Sequence, residues 1–156
     1  MARTEYYNDP NAPKPNSIVS AATAFVLDDE NRVLLIQRSD NGLWATPGGA
    51  QDFGEYIADT AVRETREETG IEIEVTGLVG IYTNPHHVMA YADGEVRQQF
   101  SICFRAVSRG GLLQTSPESP RVRWVPQSEL DELNIHPSVR LRLDHGFANL
   151  PEPYIG

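Results

Sequence analysis

The chain has 156 residues, 40% hydrophobic and 22% charged, the composition of a globular protein long enough to bury a core without staples. Lys plus Arg number 13 against 22 Asp plus Glu, a formal net charge of −9, which argues against partnership with a nucleic-acid backbone. The single cysteine, Cys103, excludes an internal disulfide and a cysteine-cluster metal site, and no apolar run reaches the length of a membrane span.

Residues 1–16 carry Pro10, Pro13 and Pro15 among polar residues. They are expected to form an extended arm whose Tyr6 and Tyr7 dock on the body, too polar to act as a signal peptide. A cytoplasmic protein is therefore expected. Residues 17–149 read as one domain and 150–156 as a short tail. Within the domain, residues 18–27 are apolar on both alternating faces, which predicts a central strand, and residues 33–36 predict its hairpin partner across a turn at 28–31. Residues 39–42 form a polar loop before Leu43, Trp44 and the Pro47-Gly48-Gly49 run. Residues 56–69 have helical periodicity. Strands follow at 71–75 and 78–82, and another at 96–107 with Phe100, Ile102, Phe104 and Ala106 on one face and Arg97 and Gln99 opposite. Arg109-Gly110-Gly111 reads as a turn, 122–125 as a strand and 137–147 as a closing helix. Cys103 falls inside a strand, as a buried or half-buried thiol. Many strands with one central and one late helix predict an α+β, layered domain.

The helix carries the chemistry. At about 100° per residue, Ala58, Ala61, Val62 and Thr65 share one face, and Glu64, Glu67 and Glu68 share another. Three neighbouring carboxylates repel one another, and two sit in the last turn, where the helix dipole also disfavours negative charge. Such local violations mark functional sites, where another group supplies compensation. A divalent cation is the natural one, because hard cations take oxygen ligands. The bland alternative is a solvated acidic face screened by Arg63 and Arg66. Gly70 stops the helix, while Gly48-Gly49 upstream lets backbone approach a bound group closely. Loop carbonyls and helix carboxylates together would make an oxygen-only cage.

These residues resemble the Nudix hydrolases. Gly49, five residues, Glu55, seven residues and then Arg63-Glu64-Thr65-Arg66-Glu67-Glu68-Thr69-Gly70-Ile71 meet every fixed position of that family's box. The one departure is Thr65, where an aliphatic residue is usual; its methyl group can still pack on the core face. The resemblance implies a Nudix-type α/β/α sandwich with a mixed sheet and the box helix packed on it. It implies hydrolysis of a pyrophosphate bond in a nucleoside diphosphate linked to another moiety, with Mg²⁺ or Mn²⁺. Glu64, Glu67 and Glu68 would be metal ligands, with a carbonyl of Gly49 or Gly48 completing the cage and Glu55 assisting. Arg63 would hold the carboxylates in place. The general base is either Glu68 on the helix or Glu118 on the loop before the late strand, although many relatives carry a further acid where this chain has Arg121.

Arg38 matches a place where relatives contact substrate phosphate. Trp44 would either stack a base or fill the core beside the glycines. His86 and His87 share a loop that would touch ribose or phosphate, or simply fill space, and Arg97 would line a pocket or face water. Pro85, fifteen residues beyond Gly70, resembles the ADP-ribose pyrophosphatase branch. ADP-ribose is therefore the favoured substrate, with nucleoside triphosphate pyrophosphatase and a non-catalytic Nudix-like sensor as alternatives. A small nucleotide is the expected partner, without nucleic acid or membrane; a homodimer is compatible with the family.

Overall fold

The structure is a computed structural model that describes residues 3–156, so residues 1 and 2 of the expected arm lie outside the described residues. Its main sheet runs, in spatial order, β11 (Arg121–Pro126), β4 (Arg32–Gln37), β3 (Ala21–Leu27), β10 (Ser101–Gly111), β7 (Ile71–Tyr82) and β12 (Tyr154–Ile155). Two short strands flank it: β5 (Trp44–Ala45) pairs with β4, and β6 (Gly48–Ala50) pairs with β3. The sheet is mixed, because β10 pairs with β3 in parallel and with β7 antiparallel.

Helix α1 (Ile57–Thr69) covers one face and α2 (Pro137–Ala148) the other. Strand β3 decides this by alternation. Ala22, Ala24 and Val26 meet Ile57, Ala61 and Val62 of α1, while Phe25 meets the α2 side with Leu143 and Phe147. The small alanines let α1 approach closely. On the other face Gly146 does the same for α2, since a Cβ there would sit 2.5 Å from the Phe25 ring. Phe25, fully buried, contributes roughly 2–3 kcal/mol of hydrophobic stabilisation.

A smaller four-stranded sheet has the order β1 (Arg3–Tyr7), β8 (His87–Tyr91), β9 (Val96–Gln98), β2 (Ser17–Ile18). Strand β1 lies antiparallel on β8, and Tyr7 sits edge-on against His87 and His136. Strand β12 of the tail pairs with β7 in parallel.

Several strands differ from the sequence expectation. The run 18–27 is broken between β2 and β3, and 96–107 is divided between β9 in the small sheet and β10 in the main one. The two strands expected at 71–75 and 78–82 are one, β7. Arg109-Gly110-Gly111 is not a turn but the end of β10, where a register shift falls between Ser108 and Gly110 and Gly110 and Gly111 take φ of 141° and 90°. Local composition suggested a turn; pairing with β7 carries the chain onward as a bulged strand. Cys103 is fully buried on the α2 side. No helix among the described residues is long and apolar enough to cross a membrane.

Candidate active site

Strand β6 lies on β3 with Gly48 opposite Thr23 and Gly49 opposite Ala22. A Cβ on Gly48 would come within 2.3 Å of the Ala22 carbonyl, and one on Gly49 within 2.6 Å of the Glu64 carboxylate. The two glycines therefore do different work. Gly48 permits strand pairing, and Gly49 leaves its flank to Glu64.

Helix α1 follows this strand. Gly70 ends it in the left-handed conformation, φ 79°, with its N–H donating to the Arg66 carbonyl at 2.9 Å. Thr65 is buried as expected of the core face, and its Oγ1 donates to the Ala61 carbonyl at 2.7 Å. Glu68 is only 7% exposed and accepts the Gly48 N–H at 2.8 Å. Burial pushes its carboxyl up to about 8, against the pull of that hydrogen bond. Burial also raises Glu64, and Arg63 only partly offsets it.

Arg63 organises the cluster. Its Nε donates to Glu55 at 2.6 Å, its Nη1 to Glu64 at 2.9 Å and to Glu67 at 3.3 Å, and its Nη2 to the Ala50 carbonyl at 3.1 Å. Glu55 also accepts from the Asp52 N–H and the Thr60 hydroxyl, so its oxygens are engaged within the chain. The Arg63 hydrogen bond, foremost, holds its carboxyl down at about 2.

Glu64, Glu67 and Glu68 line one pocket of about 270 Å³ with Ser116, Pro117 and Glu118. The loop that brings Glu118 there is fastened twice. Ser119 Oγ donates to the Glu68 carbonyl at 2.9 Å, and the Ser39 N–H donates to the Glu118 carbonyl at 3.0 Å. The donors of this pocket are oxygens, burial raises two of its carboxyls, Glu64 and Glu68, and Gly49 leaves room beside Glu64. That is the chemistry of a site that accepts a hard divalent cation.

A second cavity, a cleft of about 150 Å³, adjoins it at Gly48 and Gly49. Arg38, Trp44 and Arg97 line it too. Arg38 is bidentate on Asp40, and Arg97 is bidentate on Glu95. Trp44 is 6% exposed and packs in the α2-side core, so one ring serves both core and cleft wall. His86 is exposed on the turn before β8 and is not among the cleft residues; His87, buried, occupies the cleft instead. Register explains the difference: β8 starts at His87 and directs that ring inward.

Sequence reading missed the inner end of the cleft. Glu5 of β1 meets His87 Nε2 there, at 2.5 Å, and lies 3.8 Å from His136 Nε2. Its signal was the alternation Arg3, Glu5, Tyr7, which reads as a strand within the extended arm. The three ligand-type atoms lie within 4.8 Å of one another. The surroundings do not suit a cation, however. His136 Nδ1 accepts the Ser138 N–H at 3.1 Å, which leaves its proton on Nε2, and Arg3 lies 3.8 Å from Glu5. The group is a hydrogen-bonded acid. Burial would raise Glu5, but the His87 hydrogen bond and the charge of Arg3 outweigh it and hold the carboxyl at about 2.

This gives a pH prediction. A carboxyl lowered from 4.5 to about 2 stabilises the fold above pH 4.5 and loses that contribution as pH falls towards 2. The contribution is roughly 3 kcal/mol. Denaturant titrations from pH 6 to pH 2 should show Glu5→Gln less stable than wild type at pH 6, with the two converging at acid pH. Parallel curves would contradict it.

Comparison with known proteins bears on this geometry. A profile of the NUDIX domain matches residues 18–144. A MutT-like protein of Streptomyces ambofaciens is 37% identical over 118 residues, covering 76% of this chain and 70% of that one. An ADP-ribose pyrophosphatase of Methanocaldococcus jannaschii is 40% identical over 112 residues, 69% of this chain and 62% of that one. The nucleoside triphosphatase NudI of an Enterobacter species is 30% identical over 103 residues, 64% of this chain and 73% of that one. Among solved structures, a NUDIX hydrolase from Nitrosomonas europaea superposes with a TM-score of 0.72 at 23% identity, covering 90% of this chain and 78% of that one; at that identity it shows a shared fold.

Proposed function

Because the chain belongs to the NUDIX family of pyrophosphohydrolases, we propose that it hydrolyses a nucleoside diphosphate linked to a sugar, ADP-ribose first, to AMP and ribose phosphate. The observation that carries this reading is the pairing of the two cavities. An acidic pocket for a divalent cation opens beside a cleft with arginines and an aromatic wall. The relative named ADP-ribose pyrophosphatase and the Pro85 spacing support the choice of substrate.

Nudix hydrolases use divalent metal ions, and Mg²⁺ or Mn²⁺ fits the oxygen donors of Glu64, Glu67, Glu68 and a carbonyl of Gly48 or Gly49. When bound, such an ion neutralises the diphosphate and lowers the pKa of the attacking water. The chain's own residues do the rest. Arg63 keeps Glu64 and Glu67 in register, and the Gly48 N–H orients Glu68. Glu118, the one carboxylate of that pocket outside the helix, accepts the proton of the attacking water. Arg38 and Arg97, held in place by Asp40 and Glu95, line the cleft as hydrogen-bond donors to substrate.

The runner-up is release of pyrophosphate from a nucleoside triphosphate, which the relative named nucleoside triphosphatase favours. A sensor without catalysis fits less well, since the box carboxylates are intact and arranged around one pocket. Initial rates on ADP-ribose and on the common nucleoside triphosphates, each with Mg²⁺, separate the two. The proposal expects kcat/KM for ADP-ribose to exceed that for any triphosphate by at least tenfold. A triphosphate turned over faster, with pyrophosphate as product, would replace the proposal by the runner-up.

A further inference from the structure

Arg142 of α2 lies at the inner end of the cleft and is only 3% exposed. Its Nη1 donates to the Ser138 carbonyl at 2.6 Å, and its guanidinium lies 4.4 Å from the centre of the Tyr82 ring. Its Nε is buried without a partner. Arg3, Arg38 and Arg97 line the same cleft, and each has a carboxylate, respectively Glu5, Asp40 and Glu95. Arg142 has none among the described residues. A buried cation without an anion is costly, and packing alone does not repay it. The nearest acid at that end, Glu5, is occupied by His87 and Arg3.

Gly48, Gly49 and Arg142 line the same cavity. Behind Arg142, His87, Gln99 and Ser138 lies a further chamber of about 270 Å³, so the inner wall has space on both sides. A ligand whose diphosphate lies against the glycines would extend its linked moiety towards Arg142.

We propose that Arg142 selects the moiety linked to the diphosphate by pairing with an anionic oxygen group on it, a carboxylate or a phosphoryl group. This rests on the reading of the cleft as the seat of a nucleoside diphosphate. It concerns affinity among nucleotide sugars rather than the turnover of ADP-ribose, and ranks an acidic sugar above its neutral counterpart in binding. A charge-assisted hydrogen bond inside a cleft is about twice as strong as a neutral one, and the planar guanidinium suits a two-oxygen acceptor.

The test is equilibrium binding by calorimetry in excess EDTA, so that nothing turns over. The probes are UDP-glucuronate, whose sugar bears a carboxylate, and its neutral counterpart UDP-glucose. Wild type is expected to bind the acidic sugar nucleotide ~10-fold more tightly. Arg142→Met should abolish the difference, and Arg142→Lys should retain part of it. Thermal melts of Arg142→Met should show an unchanged or raised Tm, because an unpaired buried charge has been removed. Equal affinities in wild type, no binding of either, or a preference that survives Arg142→Met would each overturn the proposal. Since turnover is not read, failure to hydrolyse ADP-ribose would sink the proposed function and leave this result standing.

Discussion

Replacing Glu67 by Gln is expected to lower kcat on the preferred substrate by about 10³-fold, the several kcal/mol that metal-assisted charge stabilisation contributes to a transition state. The fold should not notice. Glu67 is the most exposed of Glu64, Glu67 and Glu68, its side chain 59% accessible, and among the described residues its one polar side-chain tie is the 3.3 Å contact with Arg63. Screened surface pairs of this kind contribute about 0–1 kcal/mol. Glu67→Gln thus separates chemistry from stability more cleanly than Glu68→Gln, where the carboxylate also receives the Gly48 N–H and is buried. Thermal melts beside single-turnover rates check it. A rate within tenfold of wild type, with Mg²⁺ saturating, would remove Glu67 from the catalytic set.

The glycine pair gives the second large effect, and the two positions are expected to fail differently. In Gly48→Ala the new methyl meets backbone, 2.3 Å from the Ala22 carbonyl and 2.8 Å from Thr23 Cα, so β6 must part from β3. The cost should be about 2–3 kcal/mol in stability, in the range of overpacked cores. Activity falls with it, because the Gly48 N–H that orients Glu68 moves as well. In Gly49→Ala the new methyl meets the end of the Glu64 side chain at 2.6 Å. A flexible side chain can swing away, so stability changes by less than about 1 kcal/mol. Glu64 then leaves its place in the acidic pocket, and activity should fall by about 100-fold or more. Urea denaturation with kcat measurements distinguishes the two. Equal losses of stability would contradict the assignment of separate roles.

The contrast between legible and illegible parts follows from distance along the chain. The box is 23 consecutive residues, so its helix, glycine stop and acidic face were all readable locally, and α1 begins within one residue of expectation. The covering of β3 and β4 on both faces was readable as well, because both strands are almost continuously apolar. The cleft was not. Its inner end is assembled from Glu5, His87, His136 and Arg142, which come from β1, β8, the start of α2 and its middle, and each alone looks like loop filler or a helix charge. His86 and His87 were indistinguishable until β8 set the register. The break between β9 and β10 was hidden for a similar reason. Gln99 and Phe100 continue the alternation of their neighbours, but the chain changes sheets there. Pairing partners far away made these choices, and local pattern carries no trace of them.

The central claim is that the pocket of Glu64, Glu67 and Glu68 cleaves a nucleotide sugar presented by the neighbouring cleft. Chromatography of the products after incubation with ADP-ribose and Mg²⁺, wild type beside Glu67→Gln, addresses it most directly. The account predicts AMP and ribose phosphate from wild type and almost none from Glu67→Gln. Intact ADP-ribose after incubation with wild type, or AMP released equally by both proteins, would contradict it.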